Sequence, residues 1–178
     1  MGYKFALIGL GEIAKHYSSL LNLNNIHLIS IVDKEPSPIA EKYFQKIRRY
    51  FDYRKLYSQD IDFVLVATTA ENHYTIIKDL LVHKISVVSE KPLAGSHNEI
   101  LELYKLAKNV NLIPIYHWQY TDESLWLKEN TNHFGKIKNI KVVIHDNYAS
   151  ANGVNIVKDR IGMMGTTLDE LPNALSII

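Results

Sequence analysis

Residues 4–17 read KFALIGLGEIAKHY. An apolar run stops at Gly9 and a helical pattern takes over, with Gly9, Gly11 and Ala14 at the joint in G-x-G-x-x-A spacing. Directly after a strand, the first glycine permits a tight turn, the second lets backbone approach a pyrophosphate, and the small third residue lets the helix pack closely. Phosphate would then face the backbone N–H groups of Glu12 and Ile13. The alternative is a turn that merely contains glycine, so the surrounding elements must decide.

They point one way. KFALIGL (4–10), HLISIVD (27–33), IDFVLVATT (61–69), KISVVSE (84–90) and NLIPIYH (111–117) are short apolar runs, continuously hydrophobic as strands covered on both faces are. Helical patterns fill 12–22, 37–48 with Pro38 in its first turn, 72–83, and 96–109, where Ser96 and Glu99 form a capping box. Repeated strand-helix-strand order predicts an α/β fold built on a parallel, doubly wound sheet. The pattern changes near residue 119. A helix within 121–136 closing near Gly135, a long strand over 137–150 and a glycine-rich stretch predict the start of a second, incomplete α/β domain. The expected division is 1–118 and 119–178.

Composition narrows the partners. The 178 residues are 47% hydrophobic with a formal charge of +1, so no basic face offers itself to nucleic acid and no polybasic tract to a membrane. Small polar ligands remain. There is no cysteine, no apolar run of transmembrane length and no signal-peptide pattern at MGYKFALIGLG, which places the chain in the cytoplasm as an expectation. The strand expected over 137–146 would leave an apolar edge in a monomer, so a homo-oligomer, a dimer in the simplest case, is expected.

Four further stretches carry candidate chemistry. Asp33 ends the second strand about twenty residues after Gly11, where a carboxylate accepts from a ribose diol and repels a 2'-phosphate. That favours NAD, although Lys34 next to it can offset the repulsion and keeps NADP open; the plain alternative is an Asp that turns the chain. In ATTAENH, residues Thr68, Thr69, Asn72 and His73 fall at the carboxyl edge of the sheet, either capping the next helix or touching cofactor. SEKPLAG sets Glu90, Lys91 and Pro92 at the end of another strand. An ammonium there can hydrogen-bond a substrate hydroxyl and favour its deprotonation, with Glu90 holding the lysine and Pro92 setting the turn. A surface ion pair ahead of a helix is the competing reading.

IGLGEIA, VATTAENH, SEKPLAG and HWQYTDESLWLKE...FGKIKNIKVV together, in this order, resemble the Gfo/Idh/MocA oxidoreductases, over nearly the whole chain. The resemblance implies a Rossmann domain followed by a domain with an open sheet that carries a sugar site. It implies NAD- or NADP-dependent hydride transfer to or from a sugar, sugar nucleotide or cyclitol, with Lys91 as the family's lysine and no metal. Near the carboxyl end the family pattern has Asp, then a catalytic His, then Asp. Here Asp169 fits the first, but Asn173 stands at the histidine and Ser176 at the last aspartate, with Gln119 where many members have arginine. Asn takes no proton at neutral pH. Two functions follow: an active dehydrogenase or reductase, with Asp169 positioning the sugar, and a non-catalytic NAD-binding regulator.

Overall fold

The computed structural model describes residues 2–143 and 165–177. Two compact units divide between Pro114 and Ile115.

The first unit contains β1 (Tyr3–Ile8), α1 (Ala14–Tyr17), β2 (Ile26–Val32), α2 (Pro38–Tyr43), β3 (Arg48–Tyr50), β4 (Phe63–Val66), α3 (Ala70–Val82), β5 (Ser86–Glu90) and α4 (His97–Leu106), with β6 (Leu112–Ile115) at its end. The six strands order as β3-β2-β1-β4-β5-β6, and β1 pairs in parallel with both β2 and β4. Strand order reverses between β1 and β4, the crevice where open α/β sheets bind ligands. Ala6, Ile8, Val64, Val66 and Val87 pack with Ile77, Leu80 and Leu81 of α3 and Leu103 of α4 in one cluster. Phe5, Leu7, Ile31 and Leu65, alternating with these, are buried too. Burial on both faces is why the strands read as unbroken apolar runs, and each large side chain hidden this way stabilises by about 1.5–3 kcal/mol.

Three expected elements differ. The helix over 12–22 is one α-turn followed by 3-10 turns at Ser18–Asn22. The helix over 37–48 stops at Tyr43, and Arg48–Tyr50 pairs with Ser30–Val32 as the edge strand. A neighbouring strand with free backbone groups outweighed the local periodicity there. The capping box at α4 is present, with Glu99 N–H donating to Ser96 Oγ at 3.3 Å and the Glu99 carboxylate accepting from Gly95 N–H at 3.1 Å.

The second unit holds a 3-10 turn at His117–Tyr120, helix α5 (Asp122–Asn130), 3-10 turns at Thr131–Phe134 and helix α6 (Gly165–Ser176). Gly135 follows at φ +64°, the break expected there. The strand expected over 137–150 is not formed in 137–143, which carry no regular structure; 144–150 lie outside the described residues. A strand needs a partner for its backbone groups, and none pairs with 137–143 among the described residues.

Candidate functional site

The carboxyl ends of β1, β2, β4 and β5 fall along one edge because these strands are parallel neighbours. The loops leaving them carry Gly9–Ile13, Asp33–Lys34, Thr68–His73 and Glu90–Lys91. Sheet topology alone therefore gathers candidates spread over some eighty residues of sequence.

Gly9 sits at φ +94°, and a Cβ there would lie 2.5 Å from the carbonyl oxygen of Ala67. Only glycine fits so close an approach. Gly11 is the converse: exposed, with nothing within 4 Å of where a Cβ would stand. Between them, Leu10 is clamped at both ends. Its N–H donates to Asp33 Oδ2 at 2.8 Å, and its carbonyl accepts from the Ser37 hydroxyl at 2.9 Å. The loop after β2 thus shapes the glycine loop after β1. Ala14 is fully buried, so α1 packs tightly as a small residue allows, and the exposed Glu12 pairs with Lys15. Ile13 remains 39% exposed beside the loop.

At the end of β4, Thr68 Oγ1 donates to the Thr69 carbonyl at 3.3 Å, and the Thr69 hydroxyl accepts from Asn72 Nδ2 at 2.8 Å. His73 is 1% exposed, with Nδ1 2.7 Å from the Pro92 carbonyl and Nε2 3.0 Å from the Thr68 carbonyl. Both ring nitrogens face backbone, which leaves none to meet a cofactor; the ring ties the end of β4 to the turn after Lys91.

Lys91 is half-buried, its bond to Pro92 is cis, and Pro92, Leu93 and Ala94 are buried behind it. Glu90 accepts a hydrogen bond from the hydroxyl of Tyr17 at the end of α1. Burial first, then the Glu90 charge, push the Tyr17 phenol far above its ordinary range, so it stays a donor. Sequence reasoning missed Tyr17 and Ser37. Nothing in periodicity links Tyr17 to a residue 73 positions on.

In the second unit, Asn173 on α6 is fully buried, and neither its amide oxygen nor its nitrogen has a hydrogen-bond partner among the described residues. Such an orphaned amide is costly to bury. Gln119 Nε2 donates to the Ser176 carbonyl at 3.0 Å, and the Ser176 hydroxyl to the Asn173 carbonyl at 2.6 Å, so Gln119 and Ser176 brace the end of α6. Asp169 lies within α6, but its side chain is outside the described residues. Among the described residues no group of His, Cys, Asp and Glu could hold a metal ion, and no helix is long and apolar enough to cross a membrane.

Residues 3–117 match the Gfo/Idh/MocA family, the oxidoreductase family with an NAD-binding Rossmann fold. The chain belongs to this family. Among relatives of this Gfo/Idh/MocA chain, the D-apiose dehydrogenase of Rhizobium rhizogenes is 27% identical over 124 residues, 65% of this chain and 36% of the relative. The WlbA dehydrogenase from Chromobacterium violaceum, solved with NADH and UDP-GlcNAcA, superposes at a TM-score of 0.67 with 24% identity, covering 74% of this chain and 40% of that one. The scyllo-inositol dehydrogenase from Lactobacillus casei, solved with NAD(H) and scyllo-inositol, gives 0.67 and 17% over 75% of this chain and 42% of that one. The chain spans about two fifths of the length of these relatives. The open space above Gly11 and the Asp33 carboxylate just beyond β2 leave room for a dinucleotide along this edge.

Proposed function

We propose that this chain binds NAD(H) across Gly9, Gly11, the backbone of Glu12 and Ile13, and Asp33, and serves hydride transfer at a carbinol carbon of a sugar, sugar nucleotide or cyclitol. The observation that carries the reading is the Tyr17–Glu90 hydrogen bond. It joins the helix behind the glycine loop to the residue before Lys91, so the cofactor loop and the lysine share one braced edge. The nicotinamide, when bound, supplies or accepts the hydride. Asp33 accepts from the ribose diol, and Ile13 offers apolar surface beside the loop. Thr68, Thr69 and Asn72 contact the cofactor in this reading, whereas His73 only braces the segment through the Thr68 and Pro92 carbonyls. Lys91 Nζ hydrogen-bonds the substrate hydroxyl and polarises it while the carbinol is oxidised. Asp169 positions the sugar, whereas Asn173, at the family's histidine position, is buried and can take no proton.

Lys91→Met tests the assignment: NADH-coupled turnover of a keto-sugar panel should vanish while the NADH Kd stays within about two-fold. Turnover that survives would make the Glu-Lys-Pro step a turn and nothing more. The buried, unpartnered Asn173 favours a second reading, a non-catalytic NAD-binding protein. NADH binding with no turnover across the panel selects it. In either reading residues 119–178 belong to a substrate and oligomerisation domain, the assembly is a homo-oligomer, and the chain works in the cytoplasm.

A further inference from the structure

Residues 42–55 read KYFQKIRRYFDYRK, six cations against the single carboxylate of Asp52, so this stretch carries a net +5 and the rest of the chain −4. The formal charge of +1 over the whole chain hides that asymmetry. The fold keeps the cations together. Lys42 lies in the last turn of α2, Arg48 and Arg49 lie on β3 at the rim of the sheet, and Arg54 and Lys55 fall in the 3-10 turn that follows. Lys42, Lys46, Arg48, Arg54 and Lys55 are exposed, and of these five only Arg54 has a carboxylate within ion-pair distance among the described residues, Asp52 at 3.7 Å. Aromatic rings are interleaved with them: the Lys42 ammonium stands 5.1 Å from the Tyr43 ring centre, and the Arg49 and Arg54 guanidinium groups stand 5.1 Å and 5.7 Å from those of Phe51 and Tyr53. Phe51 is 56% exposed. Next to β3 a cavity of about 250 Å³ is lined by Leu21, Tyr43, Phe44 and Ile47 together with Lys42 and Lys46.

Charged side chains on an edge strand guard it against pairing with other strands. Guarding accounts for Arg48 and Arg49 but not for cations on both flanking segments, and a large apolar ring left in water beside the edge works against it. Cations spaced along a rim with aromatic faces between them suit a polyanion that carries flat rings, because ammonium and guanidinium groups meet its phosphates while its bases stack on the side-chain rings whatever their sequence. The cavity beside Tyr43 offers an apolar, aromatic wall to one such ring and two ammonium groups to its phosphate. An acidic peptide would answer the cations and leave the aromatic faces unused. We propose that the β3 rim binds single-stranded nucleic acid without sequence preference, with Lys42, Lys46, Arg48, Arg54 and Lys55 meeting phosphates and Phe51 and Tyr43 stacking bases.

Fluorescence anisotropy of labelled oligouridylate and oligothymidylate, each of about twelve nucleotides, titrated with the full chain in excess NADH, tests it. Both strands should bind with a Kd of about 1–100 µM at roughly physiological salt, and affinity should fall with salt at a log–log slope of about −2 to −3.5, as roughly three to five phosphate contacts require. Arg48→Gln combined with Lys55→Gln should weaken binding about ten-fold or more and bring the slope about 1–1.5 nearer to zero. Phe51→Ala should weaken it about five-fold or more with the slope unchanged, and Phe51→Trp should retain it. Circular dichroism melts of these variants, all at exposed positions, confirm that each is folded. Binding that NADH abolishes would put the strand on the glycine loop and overturn the proposal. A duplex of equal length that binds as tightly also overturns it, since base faces then play no part, and so does a polyglutamate peptide that displaces the strand at equal charge, which would make the rim a docking site for acidic protein. No binding of either strand at about 100 µM protein ends it outright and leaves the cofactor reading untouched.

Discussion

Tyr17 donates its hydroxyl to Glu90 from a half-buried position, and its raised pKa keeps it neutral there. A group raised in the folded state contributes stability that is complete below its unfolded pKa, about 10, and is lost as pH climbs beyond it. Tyr17→Phe should therefore cost about 1.5–3 kcal/mol at pH 7, because the Glu90 carboxylate loses a donor. The gap to wild type should narrow above about pH 10, where only the wild-type unfolded chain ionises at this position. Thermal melts at both pH values check this; a gap that widens in alkali contradicts it. Asp33 was visible in the sequence because it ends a strand at a set distance from the glycines. Tyr17 was not, because its partner is defined by the sheet.

The helices and strands owe their placement to contacts of the same non-local kind. The 3-10 turn at Tyr53–Leu56 is fastened to α3 by the hydroxyls of Tyr53 and Tyr57, which donate to Asp79 Oδ2 at 2.9 and 2.5 Å. Burial by itself would push the Asp79 carboxyl up, but the two hydroxyls, with His83 and Arg54 nearby, hold it below the usual carboxylate range. A depressed carboxyl stabilises above its unfolded pKa of about 4, and that contribution fades as pH falls through the folded value. Asp79→Asn should cost about 1–3 kcal/mol at pH 7 and progressively less in acid as pH falls through the folded value, read from urea unfolding. Equal penalties at neutral pH and in acid would refute the charge argument. Local pattern also explains the misread β3: Arg48–Tyr50 has three residues, too few to show a period, and it is strand because β2 offers a partner.

At the scale of the whole molecule, the chain spans 36% of the D-apiose dehydrogenase it resembles, and its second unit leaves apolar side chains exposed. Trp126 is 57%, Ile140 54% and Val143 60% exposed. Water contact over so many large apolar groups favours self-association. Sedimentation velocity should show a concentration-dependent shift toward a dimer or larger species, reversed by Ile140→Lys with Val143→Lys. A single monomer at every concentration would contradict the expected homo-oligomer.

The alternation of strand and helix, the glycine loop, Asp33 and the Glu-Lys-Pro step were legible in the sequence because each depends on neighbours within about twenty residues, where periodicity and turn chemistry operate. Tertiary structure alone decided that His73 turns inward to the carbonyls of Thr68 and Pro92, and that Tyr17 meets Glu90. It alone brought Arg49 to the loop after Asp33, and it withheld a strand from 137–143. The physical reason is common to all four. A hydrogen bond between distant residues, or its absence, is set by which strands lie side by side, and strand neighbours in a doubly wound sheet follow crossovers rather than sequence order.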